Sequence, residues 1–405
     1  MRAGDLIDLD ITKPAAGGRM LARHDGQVVL VWGAIPGERV RARIGRVGKG
    51  VAYGETVDVL TASPDRREAP VDWRCGGSVL AHAAYPRQVQ LKAEIIADAF
   101  TRIGRMPMPP PRVIPSPERG YRMRARLHVR GHDIGFFREE SHELCDPAVT
   151  GQLLDTTLAW LAAVSELLRR ERLDVAWIEV AENVAGDQRA AHFELREGEG
   201  PERFDLVAGL AGSEVVDVLH AREGDAATAL RLRRDVRSFF QGNRHLLEPL
   251  LRHVAALVPE GPAVDLYAGV GLFGLSLAAA GHGPITLVEG DRTSGQDLRQ
   301  NAEPFGDRVR VEASSVEGFL ASGKAKALLH GTVVVDPPRT GMSKEASAGL
   351  LRTPPSRIVY VSCDVATLAR DARVLVDAGY SLGEVTGIDL FPNTAHVESV
   401  AVFQR

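Results

Sequence analysis

The sequence is poor in cysteine and has no long apolar run. Three cysteines occur in 405 residues, Cys75, Cys145 and Cys363, which are too few and too scattered for a disulfide framework and so favour a reducing compartment. No stretch of about 18 uninterrupted apolar residues could span a membrane. The N-terminal segment MRAGDLIDLD is acidic and lacks an apolar core of signal length. The composition therefore predicts a soluble, cytoplasmic protein.

Charge is unevenly divided along the chain, although the formal net charge is only −4. Residues 1–130 carry 22 Lys and Arg against 13 Asp and Glu, whereas the remainder carries 27 against 40. A basic front part joined to an acidic back part suggests that one part grips a polyanion and the other processes it. A solvated, arginine-rich surface would give the same counts.

The front part reads as two kinds of structure. Residues 1–60 contain short strands separated by turns such as HDGQ and IPGE, which is typical of a small β-barrel that binds nucleic acid. Further on, YPRQVQLKAEIIADAFTRIG has helical periodicity, and the proline-rich MPMPPPRVIPSP ends it. In the next segment arginines recur at even spacing, which in a strand gives either one face that tracks phosphates or a merely exposed face: Arg122, Arg124, Arg126 and Arg130.

From about residue 230 strands and helices alternate. AVDLY precedes the helical GLFGLSLAAAG, and ITLVEG precedes the helical GQDLRQNAEPF, while FFQGNRHLLEPLLRHVAALV is expected to be helical throughout. This alternation predicts a parallel, doubly wound α/β sheet with an antiparallel end. We expect three domains: a β-barrel over residues 1–62, a mixed α+β central domain over 63–228, and an α/β domain over 229–405.

A glycine-rich turn in the α/β domain predicts a cofactor site. Gly269, Gly271 and Gly274 form G-x-G-x-x-G between a strand and a helix, where a ligand can approach the helix N-terminus. Glu289 ends the next strand and is placed to accept hydrogen bonds from ribose hydroxyls. NAD and S-adenosylmethionine (SAM) both need this arrangement, so the turn does not choose between hydride and methyl transfer.

The stretch DPPR at the end of the fourth strand argues for methyl transfer to something other than an exocyclic amine. Enzymes that methylate such amines commonly have an aromatic residue after Asn/Asp-Pro-Pro. In this chain Asp336 begins the motif, and Arg339 occupies the position of the aromatic residue after the two prolines. A purely structural turn is the alternative interpretation of these prolines.

Five stretches together resemble one family, the RNA uracil-C5 methyltransferases, which form 5-methyluridine in tRNA and ribosomal RNA. They follow the family's order at comparable spacing: FFQGN (239–243), DLYAGVGLFG (265–274), DPPRTG (336–341), YVSCD (360–364) and HVESVAVF (396–403). The first 60 residues also resemble the TRAM domain of many members. The resemblance implies a Rossmann-like class I SAM methyltransferase domain at the C-terminus, preceded by a TRAM- or OB-like barrel and the central domain.

The resemblance also implies residue roles. Cys363 would be the nucleophile that adds to uracil C6, and Glu398 the general base that removes the C5 proton; taken alone, Cys363 would be read as a buried, inert cysteine. The implied cofactor is SAM and the implied partner is RNA, with these residues at the cofactor or target base: Gln241, Tyr267, Gly269, Glu289 and Asp336. The residues expected to contact RNA are Arg122, Arg124, Arg126 and Arg339.

The chain departs from the family at its cysteines. Many relatives hold a four-iron–four-sulfur cluster through four cysteines. In the comparable stretch APVDWRCGGSVLAH only Cys75 is present, with Ala69 and Ser78 at two other positions, and Cys145 matches the fourth only loosely. Because two thiolates do not satisfy the usual ligation, we expect no cluster and no metal, and Cys75 and Cys145 to be either relics of the cluster site or packing residues.

Three alternatives remain open at this point. An RNA cytosine-C5 methyltransferase would carry Pro-Cys at the fourth-strand motif, and DPPR lacks the cysteine. A non-catalytic RNA-binding protein with a relic SAM domain would have lost Cys363 or Glu398. An NAD-dependent oxidoreductase rests on the glycine turn alone. Both tRNA and ribosomal RNA fit as acceptors, and no obligate protein partner is expected.

Overall fold

The N-terminal strands close into a barrel in a computed structural model that describes residues 1–196, 198, 200, 203, 207, 209, 211–225 and 228–405. The barrel order is β1-β2-β3-β5-β4, and β4 pairs back onto β1. In β4, Val40, Ala42 and Ile44 point into the core while the arginines between them point outward, as strand alternation requires. The strands are β1 Leu6–Pro14, β2 Met20–His24, β3 Gln27–Trp32, β4 Arg39–Val47 and β5 Val51–Thr61.

A five-stranded antiparallel sheet of order β11-β10-β7-β8-β9 forms the middle of the chain. Helix α2 (Asp155–Glu171) packs Leu161 and Val164 into the same core as Leu127 and Phe193 of the sheet. A separate hairpin, β12 (Glu214–His220) with β13 (Ala229–Asp235), follows it. The sheet strands are β7 Arg124–Arg130, β8 Asp133–Phe137, β9 Leu144–Cys145, β10 Val175–Glu182 and β11 Arg189–Leu195.

The C-terminal sheet has the order β16-β15-β14-β17-β18-β20-β19-β6, parallel from β16 to β18 and antiparallel at β20. This confirms the predicted doubly wound fold. The strands are β14 Ala263–Leu266, β15 Ile285–Glu289, β16 Val309–Ala313, β17 Thr332–Val335, β18 Arg357–Ser362, β19 Ser381–Ile388 and β20 Glu398–Gln404. The helices are α3 Leu247–Leu257, α4 Leu272–Ala279, α5 Arg292–Ala302, α6 Val316–Ala321, α7 Gly323–Leu328, α8 Lys344–Arg352 and α9 Val365–Asp377.

Part of the range expected for the central domain joins this sheet. Strand β6 (Val113–Ile114) pairs in parallel with β19, and helix α1 (Tyr85–Arg102) packs against α9. Lys92 of α1 is fully buried and forms an ion pair with the equally buried Asp389, just beyond β19. A buried pair is costly to break once formed, so α1 is tied to the chain segment that leads into β20.

Two sequence expectations were wrong in detail. The helix expected to begin at FFQGN begins only at Leu247, because Asn243 is held by other segments: its amide nitrogen donates to Ser116 Oγ and Leu390 O. Cys75 and Cys145 are not separate packing residues but form a disulfide across a sequence separation of 70. Cys75 forms a β-bridge with Arg138 and Cys145 pairs with Phe136, so the β8–β9 hairpin brings the two sulfurs together.

No helix in the described part of the chain is both long and apolar enough to cross a bilayer.

Candidate active site

The crevice of the C-terminal sheet lies where the strand order reverses, between β14 and β17. In open parallel sheets ligands bind at this point, outside the carboxyl ends of the strands. Asp336 directly follows β17, and Cys363 directly follows β18. Ser362 pairs with Ser399 in the antiparallel ladder, so Cys363 and Glu398 are the next opposed positions at its end. Opposed positions on neighbouring strands bring their side chains close together.

The glycine turn after β14 has a backbone that few residues adopt. Gly269 and Gly271 have φ values of 57° and 98°, and Tyr267, which is not glycine, has 65°. A Cβ at Gly274 would lie 2.1 Å from Leu287 Cδ2, so a glycine there lets α4 lie directly on β15. The turn is thus built by close helix–strand packing as well as by positive φ angles.

Two acidic side chains accept hydrogen bonds from backbone N–H groups in and next to the glycine turn. Asp265 Oδ2 accepts a hydrogen bond from Gly274 N at 2.8 Å, whereas Oδ1 is buried without a partner. Burial raises the pKa of Asp265 to about 8. Glu289 accepts hydrogen bonds from the backbone N–H groups of Gly269, at 2.7 Å, and Asp291, at 2.6 Å. Glu289 therefore shapes the loop, in addition to the ribose contact expected from the sequence.

The crevice fits an adenosine-type cofactor. A Cβ at Gly269 would meet no atom within 4 Å, so the backbone there is open to close approach by a ligand. Each Glu289 oxygen accepts one backbone hydrogen bond and retains a further lone pair, so the carboxylate can also accept from a ligand hydroxyl. Within the described residues no group of three or more His, Cys, Asp or Glu side chains could hold a metal ion.

Glu398 is the most unusual side chain of the crevice. It is 1% exposed, and neither carboxylate oxygen has a hydrogen-bond partner. Burial raises the pKa of Glu398 well above its usual range, the Asp336 carboxylate raises it further, and Arg339 opposes both. Asp336 itself accepts a 3.3 Å hydrogen bond from the Gln241 amide. Burial raises the pKa of Asp336 to about 7, and this hydrogen bond lowers it.

Cys363 is partly exposed and is the only cysteine outside the disulfide. Burial raises the pKa of its thiol to about 11; the Glu398 and Asp336 carboxylates also raise it, and the Arg339 guanidinium lowers it by charge and by hydrogen bonding. The backbone carbonyl of Arg339 accepts a hydrogen bond from Thr367 Oγ1 of α9 at 3.2 Å. The Arg339 guanidinium thus lies beside the Cys363 thiol. The sequence had predicted only an RNA contact for Arg339.

The predicted arginine track begins inside the protein and ends on its surface. Arg122 donates to Gln152 Oε1 at 2.6 Å and lies over the Phe136 ring. Arg124 and Arg126 share one acceptor, Glu179, at 2.5 Å and 3.3 Å. Arg126 is the more exposed, with 56% of its side chain accessible against 20% for Arg124. Among the three, Arg126 is best placed to meet a phosphate.

Sequence reasoning missed two residues of this region. Phe239 is 60% exposed, the largest exposure among the bulky apolar side chains described, and Arg124 lies over its ring at 5.8 Å. A pair of phenylalanines gives no sign of which one faces solvent. Asp265 does carry a signal, since it is the single charge in the buried strand AVDL, and a charge in such a strand needs a reason.

Similarity to known proteins identifies this fold and crevice as those of a SAM-dependent methyltransferase. Residues 316–405 match the family model for tRNA (uracil-5-)-methyltransferase, and residues 2–57 match the TRAM domain. The chain is 33% identical to the 23S rRNA (uracil(1939)-C(5))-methyltransferase RlmD of Methylococcus capsulatus over 96% of this chain and 94% of that protein. It is 32% identical to RlmD of Pseudomonas putida, over 98% and 93% respectively.

The chain therefore belongs to the RNA uracil-C5 methyltransferase family. A solved structure has the same fold over nearly the whole length: the Pyrococcus abyssi tRNA (uracil-54, C5)-methyltransferase in complex with S-adenosyl-L-homocysteine. Its TM-score is 0.76 at 24% sequence identity, and the match covers 98% of this chain and 99% of that one. The fold of this chain thus matches a solved structure from the barrel to the C-terminal sheet.

Proposed function

We propose that this enzyme methylates C5 of a uridine in structured RNA through a covalent adduct between Cys363 and C6 of the base. The observation that carries the proposal is the position of Cys363 and Glu398 directly beyond the Ser362–Ser399 pair of the β18–β20 ladder, with both oxygens of Glu398 buried and unpartnered. A buried carboxylate without a partner is costly, and a role in proton transfer accounts for it.

Each step follows from the atoms at the crevice. The Cys363 thiol gives up its proton to solvent and Sγ bonds to C6, while the C5–C6 π electrons move toward O4, which makes C5 nucleophilic. When bound, SAM would supply an electrophilic methyl group to C5 and leave as S-adenosylhomocysteine, so that C5 carries both the methyl group and its original proton. Glu398 then removes the C5 proton; the C5–C6 double bond re-forms and the Sγ–C6 bond breaks. The raised pKa of Glu398 suits this last step, because it makes the ionised carboxylate a stronger base.

The surrounding charges set the state of the thiol. Glu398 and Asp336 both raise the pKa of Cys363, and each disfavours ionisation of the other. A proton held on either carboxyl group removes part of the repulsion that opposes the thiolate. Arg339 favours the thiolate directly, so we assign it a positioning and charge-stabilising role at Cys363 besides any contact with RNA.

We assign the cofactor to the glycine turn, with Tyr267, Gly269 and Glu289 beside SAM. We assign Asp336 and Gln241 to the space between cofactor and uracil, and a hydrogen bond from the Gln241 amide to Asp336 supports placing these two residues together. We further propose that residues 1–62 and 63–228 bind RNA, through Arg126 among others, while 229–405 carry the chemistry. The RlmD proteins act on 23S rRNA and match this chain at higher identity than the tRNA enzyme does, so ribosomal RNA is the first acceptor to test.

The test is methyl transfer from labelled SAM to hypomethylated total RNA, separated by size and digested to nucleosides. Label in 5-methyluridine is expected with the wild type and not with Cys363→Ala, and the labelled size class identifies ribosomal RNA or tRNA. An RNA carrying 5-fluorouridine should remain attached to the wild type, since C5 then has no proton to lose. Methylation by Cys363→Ala, or label in 5-methylcytidine, would contradict the proposal.

A further inference from the structure

A cleft of about 660 Å³ lies beside the barrel, and no residue of the methyltransferase crevice lines it. One wall is the outer surface of β3–β5, with Trp32 and Tyr53. The other walls are the segment around Trp73 and the residues that join β8 to β9, from Arg138 to Glu143. We call it the barrel cleft. It opens between the N-terminal barrel and the central sheet.

Aromatic rings and guanidinium groups alternate in the barrel cleft. The Arg19 guanidinium lies 4.8 Å from the Trp32 ring and 5.0 Å from the Tyr53 ring, and Arg46 lies 4.2 Å from the Tyr53 ring. Arg74 likewise lies 5.2 Å from Trp73. Aromatic residues make up only 5% of the chain, so the barrel cleft, with three aromatic rings, is richer in them than the chain as a whole. Such rings and guanidinium planes are the surfaces on which unpaired bases stack.

Two hydrogen-bond donors in the cleft lack acceptors. The indole N–H of Trp32, a residue that is 9% exposed, and the Nε–H of Arg19 are buried and have no partner among the described residues. Both residues line the cleft. A buried donor without an acceptor is unfavourable, and an acceptor on a ligand, such as a base carbonyl or a phosphate oxygen, would satisfy it.

The charges also leave cations available. Arg19 is paired with Glu140 at 2.5 Å and Arg138 with Asp72 at 3.0 Å, and Arg74 is paired with Glu55. Arg43 and Arg46 lie exposed on β4, and neither has a carboxylate partner in the part of the chain that the structure describes. Carboxylates in and beside the cleft thus pair with Arg19, Arg74 and Arg138, whereas Arg43 and Arg46 are available to phosphate groups.

Two walls of the cleft are covalently linked, because the Cys75–Cys145 disulfide joins the segment next to Arg74 to the β8–β9 hairpin. A Cβ at Gly18, beside Arg19, would lie 3.5 Å from Ala395 Cβ, and Ala395 precedes Glu398 by three residues. The loop that carries Arg19 of the cleft is thus near the segment that leads to Glu398.

We propose that the barrel cleft binds unstacked bases of the RNA substrate other than the target uridine. The bases stack on Tyr53 and Trp73, and the flanking phosphates contact Arg43 and Arg46. The proposal rests on the proposed function for the identity of the ligand as RNA. It adds a second binding site that selects single-stranded nucleotides next to the methylated position.

The test uses a fluorescein-labelled single-stranded RNA of about eight nucleotides, a length typical of such sites, with the whole protein and fluorescence anisotropy. Tyr53→Ala and Trp73→Ala should each weaken binding roughly tenfold, the loss of about one stacked base, while Tyr53→Phe should retain it. Arg46→Ala should reduce the slope of log affinity against log salt by about 0.7. Arg169→Ala, which removes an exposed arginine of α2, is the matched control and should change nothing.

The outcomes separate this proposal from the previous one. Unchanged RNA affinity in Tyr53→Ala and Trp73→Ala, or an equal loss of affinity with Arg169→Ala, would overturn the proposal that the barrel cleft binds RNA bases, even if methylation is normal. Binding of SAM by each variant shows that it is folded. Oligonucleotide binding that depends on the two rings, in a protein that never methylates uracil, would leave the cleft in place and overturn the proposed function.

Discussion

Two glutamates, one in the barrel and one in the crevice, are equally buried and have opposite surroundings. Glu38 and Glu398 are each 1% exposed. Glu38 accepts hydrogen bonds from Arg66, at 2.6 Å and 2.7 Å, and from the backbone N–H groups of Ile35 and Ser63. Glu398 accepts none. The barrel thus satisfies its buried carboxylate completely, whereas the crevice leaves one available.

The difference separates structure from chemistry. A fully bonded carboxylate gives its lone pairs to the fold and has little capacity for a new proton. A buried carboxylate without partners favours its protonated form, and so it can take a proton from a substrate. Glu182 follows the barrel pattern, since Arg189 and Arg244 bind its two oxygens. Of Glu38, Glu182 and Glu398, only Glu398 has free oxygens for proton transfer.

The largest effect should come from Glu398→Gln. We expect a loss of roughly 10²–10⁴ in turnover, the usual contribution of a general base. Because the C5 proton then stays in place, methylated RNA should remain bound to Cys363 and migrate with the protein on a denaturing gel. Glu384→Gln, which changes an exposed carboxylate on β19, is the matched control. Wild-type turnover by Glu398→Gln would remove Glu398 from the mechanism.

The same substitution at Glu38 should affect stability. Glu38→Gln should lower the free energy of unfolding by about 2 kcal/mol, because Arg66 loses its charged partner but retains 21% exposure, which moderates the cost. Glu398→Gln should change it by less than about 1 kcal/mol, since no hydrogen bond is lost. Urea unfolding of both variants measures this. Equal losses would show that the two environments do not differ in the way their contacts indicate.

Arg339→Ala should make Cys363 less reactive. Removing the guanidinium takes away a charge that lowers the thiol pKa, so the thiolate fraction near neutral pH should fall, by roughly tenfold per unit of pKa. Without reductant, Cys75 and Cys145 are bonded to each other and iodoacetamide labels Cys363 alone. At alkaline pH, where the Glu398 carboxyl is ionised, Glu398→Gln should act in the opposite direction and speed alkylation. A rate unchanged in both variants would contradict the charge assignments.

The last effect depends on pH and concerns Asp265, which is intermediate between the two glutamates because only one of its oxygens is bonded. Its folded pKa, about 8, lies above the ordinary value of 3.8. The protonated form is therefore favoured by folding, and stability should fall as pH rises between these two values. Asp265→Asn should remove this slope, a difference of about 1 kcal/mol per pH unit against the wild type. Parallel pH profiles of unfolding would contradict it.

The sequence by itself determined the fold class, and it predicted which residues carry the chemistry. The alternation of strands and helices, the glycine turn and the cysteine after β18 are local features of the chain. Each can therefore be recognised in the sequence without knowing which residues it contacts in the folded protein. The fold, the family and the SAM-dependent methyltransferase class predicted from them are confirmed. The roles of Cys363 and Glu398 remain predictions, which their placement at one end of the β18–β20 ladder supports.

Only the tertiary structure decided what lies beside what. Cys75 meets Cys145 across 70 residues, Arg339 meets Cys363, and α1 with β6 joins a sheet whose other strands begin about 150 residues later in the chain. The three rings of the barrel cleft come from separate segments. Local periodicity carries no information on such pairs, because their contact depends on how the sheets and helices pack, and packing is fixed by the whole chain at once.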